Sequence, residues 1–131
     1  MLKKSAKETG EKAKDYFENG HHCAEATVRA VLEGFDVDAS QAVAHSTAFS
    51  GGFARSGEEA CGALCGAFIA IGHLCPRKGP GKPFDEALQL GKKIRQHFLD
   101  KYGTTRCGAI KAQFDEENPR LGCTKLVGRI T

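Results

Sequence analysis

From Ala60 to Cys75 the chain runs 16 residues without one charged side chain. A membrane span needs roughly 20 apolar residues, and this stretch carries three glycines and a histidine, so it reads as a buried helix. Its hydrophobicity goes nearly all round, as expected of a central helix wrapped by others. Ser56-Gly57-Glu58-Glu59 has the S-x-x-E form of a capping box, and Cys75-Pro76 supplies a stop, so the spacing predicts a helix over about 57–74. Gly62 and Gly66, with Ala63, Ala67 and Ala70, let neighbouring backbones come close. Each interior Gly costs on the order of 1 kcal/mol against Ala, so propensity is given up here for packing.

Elsewhere period 3.6 recurs and period 2 hardly appears. Ser5 to Glu18 carries Ala6, Ala13 and Phe17 on one face and ends at Asn19-Gly20. Cys23 to Phe35 aligns Ala24, Val28, Val31, Leu32 and Phe35. A weaker helix is expected from Ala39 to Phe49, broken by Gly51-Gly52. Pro83 suits a first helical position, with Asp85 and Glu86 in the first turn. The stripe Phe84, Leu88, Gly91, Ile94, Phe98 and Tyr102 then runs to Gly103. Two short helices are expected over Thr105 to Phe114 and about Pro119 to Gly128. The expected architecture is all-α: one compact domain over residues 1–131, about seven helices around the apolar one.

Composition narrows the function. The net charge is +3, from 19 basic and 16 acidic side chains spread along the whole length, and Trp is absent. Neither a basic stripe nor a base-stacking platform is present, which argues against nucleic acid as a partner. The N-terminus leads into Glu8, Glu11 and Asp15 instead of an apolar segment, so no secretory signal is visible and a cytoplasmic location is expected. Against that background stand six cysteines. In a reducing compartment such a number points to metal binding or redox chemistry before a disulfide framework.

Cys61 and Cys65 are four apart, so on a helix both point to one side. They are poorly aimed at each other, because a disulfide needs converging Cβ vectors. They are better placed to share a partner: a metal, or a third thiol from another helix. Cys65 and Cys75 also read plainly as small buried hydrophobes. Cys23 follows His21-His22 and opens a helix, whose N-terminal N–H groups and dipole favour a thiolate. His22 and Cys23 could form a thiol with its proton partner, a mixed Cys/His metal site, or an ordinary turn. Cys107 follows Arg106 at another helix start, and Cys123 sits between Gly122 and Thr124. No pair has Cys-x-x-Cys spacing, which removes the local signature of thioredoxin-like enzymes and zinc ribbons. Gly51-Gly52 and Gly57 belong to no phosphate-binding motif and read as turn residues.

Taken in order, Cys23, then Cys61-Gly62-Ala63-Leu64-Cys65-Gly66, then Cys107 and Cys123 form a pattern. It resembles the bacterial and archaeal redox-active family named after its motif, C_GCAxxG_C_C, over roughly residues 15–127. The resemblance implies an all-helical domain in which Cys23, Cys61, Cys107 and Cys123 gather at one site. Some relatives resemble a domain of split-Soret cytochromes, which brings iron–sulfur ligation into view, although their haem motifs are missing here. Cys65 and Cys75 are additions to the family pattern.

The leading expectation is a thiol redox protein of thiol–disulfide oxidoreductase type, acting on a redox partner protein. In it Cys61 attacks, Cys23 resolves, and Cys107 and Cys123 form a second pair. The rival is a non-catalytic electron carrier or metal-binding protein, whose Cys23, Cys61, Cys107 and Cys123 hold an iron–sulfur cluster or zinc. A third reading makes the domain a helical interaction module with core cysteines. A homodimer covering the site fits the first two.

Overall fold

The structure, a computed structural model, describes residues 6–113. Six α-helices and one 3-10 turn account for its regular structure: α1 (Ala6–Glu18), α2 (Cys23–Gly34), α3 (Ser40–Ser46), the 3-10 turn Thr47–Phe49, α4 (Gly62–Leu74), α5 (Asp85–Tyr102) and α6 (Cys107–Lys111). Among the described residues the only extended pairing is a single antiparallel bridge, Ala60 to Arg106. The architecture is all-α, as the periodicity predicts. The helix expected at Pro119 to Gly128 lies outside the described residues.

Helices α2 and α4 make the central pair. On one side of α2, Ala26 and Ala30 join Ala13 and Phe17 of α1, Ala63 and Leu64 of α4, Phe98 of α5 and Ile110 of α6 in one core cluster. On the other, Val28 and Leu32 pack with Ala39, Ala42 of α3 and Ala70 of α4 in a second. The crossing of α2 and α4 is close because glycine permits it. A Cβ at Gly66 would lie 2.6 Å from the Ala24 carbonyl oxygen and 3.0 Å from the Thr27 Cβ. Helix α4 therefore sits at the centre through its first half, while Phe68 on its outer side stays 39% exposed.

Several boundaries differ from the sequence expectation. Helix α4 begins at Gly62, with Cys61 as its N-cap, and not at about 57. The Ser56 hydroxyl does not cap it but accepts from the Glu58 amide at 3.1 Å in a local turn. Capping contact occurs instead at α2, where the His22 amide donates to the Glu25 carboxylate at 2.9 Å. The third helix splits into α3 and the 3-10 turn, and α5 starts at Asp85, one residue beyond Phe84. Pro83 therefore precedes the helix instead of opening it. The last described helix is shorter than expected, Cys107–Lys111 in place of Thr105 to Phe114. The long stripe of α5 is buried only at its far end: Phe98 is inaccessible, while Phe84 is 50% and Leu88 38% exposed.

Between the 3-10 turn and α4 the chain does something rarer. Gly51, Gly52, Phe53, Ala54 and Arg55 all have positive φ, of 63°, 73°, 65°, 52° and 60°. Left-handed backbone costs a non-glycine residue roughly 1–2 kcal/mol, so three such residues need external support. The Ala54 amide donates to the Ala48 carbonyl at 2.8 Å, the Arg55 amide to Ser50 at 2.9 Å and the Gly57 amide to Gly51 at 2.9 Å. Ala54→Gly is expected to raise stability by about 0.5–1 kcal/mol, since strain relief exceeds the added chain entropy. Chemical denaturation measures it; a loss of stability would show that the Ala54 methyl is needed.

Candidate functional site

Three helix starts carry a cysteine each: Cys23 at the first position of α2, Cys61 at the N-cap of α4 and Cys107 at the first position of α6. The segment before α4 is tied to the segment before α6 by backbone hydrogen bonds. The Cys61 amide donates to the Thr105 carbonyl at 2.7 Å, the Cys107 amide to Glu59 at 2.8 Å and the Gly108 amide to Gly57 at 2.8 Å. These bonds flank the Ala60–Arg106 bridge and bring two sulfurs distant in sequence to one end of the bundle.

Cys23 reaches the same end because α4 has no side chain in its way. A Cβ built on Gly62 would lie 2.1 Å from the Cys23 sulfur, so the thiol occupies the space over that glycine. A Cβ on Gly52 would lie 2.6 Å from the Cys107 Cβ, so the left-handed loop seats Cys107 in the same manner. Cys65, one turn beyond Cys61, turns its sulfur back toward the Ala60 carbonyl oxygen at 3.9 Å. That follows the general tilt of helical Cβ atoms toward the N-terminus.

Electrostatics and burial separate the thiols. Burial pushes the Cys61 thiol up from 9.0 to about 12, and the neighbouring Cys23 adds to it, against the opposing pull of the Ala63 and Leu64 amides. Burial likewise raises Cys65 to about 11, again with a contribution from Cys23. Cys107 is raised by burial and by Cys23, while Lys111 and Arg106 pull it down. Cys23 is thus felt by all three of the other thiols. It is also the one of the four that is only half-buried, the others being buried. All are free thiols in the structure.

A consequence for stability follows. Cys61 and Cys65 have raised pKa values in the fold, so the folded state holds protons that the unfolded chain releases above about pH 9. Stability is then full below pH 9 and falls as pH rises toward 11 and 12, by up to about 1.4 kcal/mol per pH unit for each thiol. Denaturant midpoints measured at pH 8 and pH 10 are expected to fall in wild type and to fall less in Cys61→Ala. Equal midpoints in wild type would contradict the burial of these thiols.

His22 is engaged at one ring nitrogen, while its Nδ1 is buried without a hydrogen bond among the described residues. Its Nε2 lies 3.1 Å from an Arg55 guanidinium nitrogen, which can only donate, so this ring nitrogen is the acceptor. Its Nδ1 faces the Glu25 carboxylate at 3.6 Å. Burial alone would raise the Glu25 carboxyl, but the His22 amide and the Thr47 hydroxyl outweigh it and hold the group below its usual range. His21 is engaged in parallel, with its Nε2 3.0 Å from Arg29, itself paired to Glu33 at 3.1 Å. Through its Nε2, His22 ties the left-handed loop to the start of α2.

The four cysteines expected at the site fare differently. Cys23, Cys61 and Cys107 are brought to one end of the bundle, and Cys123 lies outside the described residues. Cys65 joins them, and its helical spacing from Cys61 was the signal for it. Cys75 does not. It ends α4, about 20 Å along the helix from Cys61, with Glu86 beside it. Ser50 carried no sequence signal. It is 4% exposed, its hydroxyl has no partner among the described residues, and its Cα stands 3.3 Å from where a Gly62 Cβ would be.

Among the described residues no group of three or more His, Cys, Asp or Glu is disposed to hold a metal ion. The chemistry developed below uses none. Among the same residues no helix is long and apolar enough to cross a membrane.

Fold and site together define a small helical protein with thiols gathered at the starts of its helices. Residues 21–131 match the family described as "Putative redox-active protein (C_GCAxxG_C_C)", and the chain belongs to that family. No curated protein and no solved structure matches it.

Proposed function

We propose that the protein is a dithiol redox protein in which Cys23 attacks a partner's disulfide and Cys61 resolves the product. The observation that carries this reading is the seat of the Cys23 sulfur over Gly62, at the start of the helix that Cys61 caps. The attacking thiol must be reachable and readily ionised. Cys61 meets neither condition, being 5% exposed and raised to about 12. Cys23 is the more open thiol, and it opens α2 with its sulfur set over Gly62. The roles expected from sequence are therefore exchanged.

In the forward direction the Cys23 thiolate attacks one sulfur of a disulfide R–S–S–R′, forms a Cys23–S–S–R bond and expels R′–S⁻. Cys61, losing its proton to solvent, then attacks the Cys23 sulfur and expels R–S⁻. The two protein thiols give up two electrons, the partner disulfide takes them, and the protein is left with one Cys23–Cys61 disulfide. Burial suits Cys61 to this second step, since it needs to meet only Cys23. Cys107 and Cys123 are proposed as a second pair that could pass electrons on. The partner is a protein or small molecule with an accessible disulfide.

The test is the rate at which folded protein reacts with an aromatic disulfide reagent, compared across Cys→Ser variants. Cys23→Ser should remove the fast phase, and Cys61→Ser should keep it while yielding no Cys23–Cys61 disulfide. A fast phase that survives Cys23→Ser when the half-buried Cys75 is also serine rules the assignment out. Thiols that react only after unfolding would favour the interaction-module reading.

A further inference from the structure

Cys65 is absent from the family pattern and unused in the scheme above, yet it stands in the site. It lies one turn beyond Cys61 on α4, between Gly62 and Gly66, the two positions that meet the start of α2. Its sulfur does not point down the helix into the core. It returns toward the Ala60 carbonyl oxygen at 3.9 Å, the level of Cys61 and of the Cys23 sulfur over Gly62. Gly66, its neighbour, presses on Ala24, the residue after Cys23. Cys65 and Cys61 are thus two thiols on a rigid element, with Cys23 as their common neighbour. Parallel helical side chains four apart are poorly aimed at each other, so each is more readily paired with Cys23 than with its neighbour.

We infer that Cys65 is a second resolving thiol, so that Cys23 closes its disulfide with either Cys61 or Cys65. This rests on Cys23 being the attacking thiol. The chemistry balances as before. Cys23 takes up R–S from a disulfide and releases R′–S⁻. The Cys65 thiolate then attacks the Cys23 sulfur, releases R–S⁻ and forms Cys23–Cys65, with two electrons passed to the external disulfide. The raised Cys65 thiol, at about 11 against about 12 for Cys61, is the less suppressed of the two. A site with two resolving thiols can also shuffle: a free Cys61 can attack Cys23 in the Cys23–Cys65 bond and reverse the choice, with no change in oxidation state.

Wild-type protein, Cys61→Ser and Cys65→Ser are each treated with oxidised glutathione. They are then quenched with an alkylating reagent, and linked peptides are assigned by fragmentation. Wild type should give both Cys23–Cys61 and Cys23–Cys65. Cys61→Ser should give Cys23–Cys65 with glutathione released, and Cys65→Ser should give Cys23–Cys61. The double variant should stop as glutathionylated Cys23. Cys61→Ser that stops at that adduct with Cys65 alkylated overturns the inference and leaves the attacking role of Cys23 intact. Wild type that yields Cys23–Cys61 alone overturns it even if the variants fold poorly. Wild type whose Cys23 stays a free, alkylatable thiol overturns both readings.

Discussion

In a Cys75→Ser background, replacing Cys23 by serine is expected to slow the folded protein's reaction with disulfides by about 10-fold or more, while leaving its stability close to that of the parent. The size follows from what remains. Cys65, raised from 9.0 to about 11, has about a 100-fold smaller thiolate population near neutral pH than an unshifted thiol, and greater nucleophilicity restores about half of that on a logarithmic scale. Burial of Cys61, Cys65 and Cys107 slows them further. Serine suits the start of α2, and the Thr27 hydroxyl still bonds the carbonyl of residue 23 at 2.9 Å. Stopped-flow absorbance measures the rate. An unchanged rate would mean that a buried thiol is exposed by motion and attacks first.

Gly62→Ala is expected to damage both stability and chemistry. The new methyl would sit 2.1 Å from the Cys23 sulfur, 3.3 Å from the Ser50 Cα and 3.4 Å from the Ala24 amide nitrogen. The sulfur ends a short side chain and can turn away, but the two backbone neighbours cannot. Overpacking of this kind costs about 1–3 kcal/mol, only partly offset by the better helix propensity of alanine. The displaced Cys23 should then close its disulfide with Cys61 more slowly. A double-mutant cycle with Cys23→Ala isolates the sulfur contact, because alanine at position 23 has no atom at that point. Gly62→Ala should cost less stability in that background. An equal cost would place the clash in the backbone alone and remove the case for a thiol seat.

Helical periodicity revealed much of this fold because it is a local signal. The Ala13 and Phe17 face, the Val28 and Leu32 face and the Gly103 stop each depend on residues within a turn or two. The start of α4 was misread for the opposite reason. Ser56 and Glu59 have the letters of a capping box, but Glu59 is held by the Cys107 amide, a partner almost fifty residues on. No window around Ser56 contains that bond. Nor does one contain the Arg55 contact that occupies His22, or the left-handed run of Phe53, Ala54 and Arg55, residue types that do not announce positive φ.

At the site, the cysteines were visible but their burial was not. The spacing of Cys61 and Cys65 placed both on one flank of a helix, and Cys23 and Cys107 read as helix starts. Which thiol is open depends on tertiary cover, so the attacking and resolving roles could not be ordered from sequence. The glycines were read as packing residues for helices. At Gly62 and Gly52 they are also the spaces into which Cys23 and Cys107 fit.

The central claim is that Cys23 and a thiol of α4 form a reversible two-electron couple in the folded protein. Equilibrating the whole protein in glutathione buffers of graded potential, then quenching and counting alkylated cysteines by mass, tests it most directly. The account predicts a step in which two of the six thiols, Cys23 and one thiol of α4, are lost together. All six thiols remaining free across the range, or oxidation that spares Cys23, would contradict it.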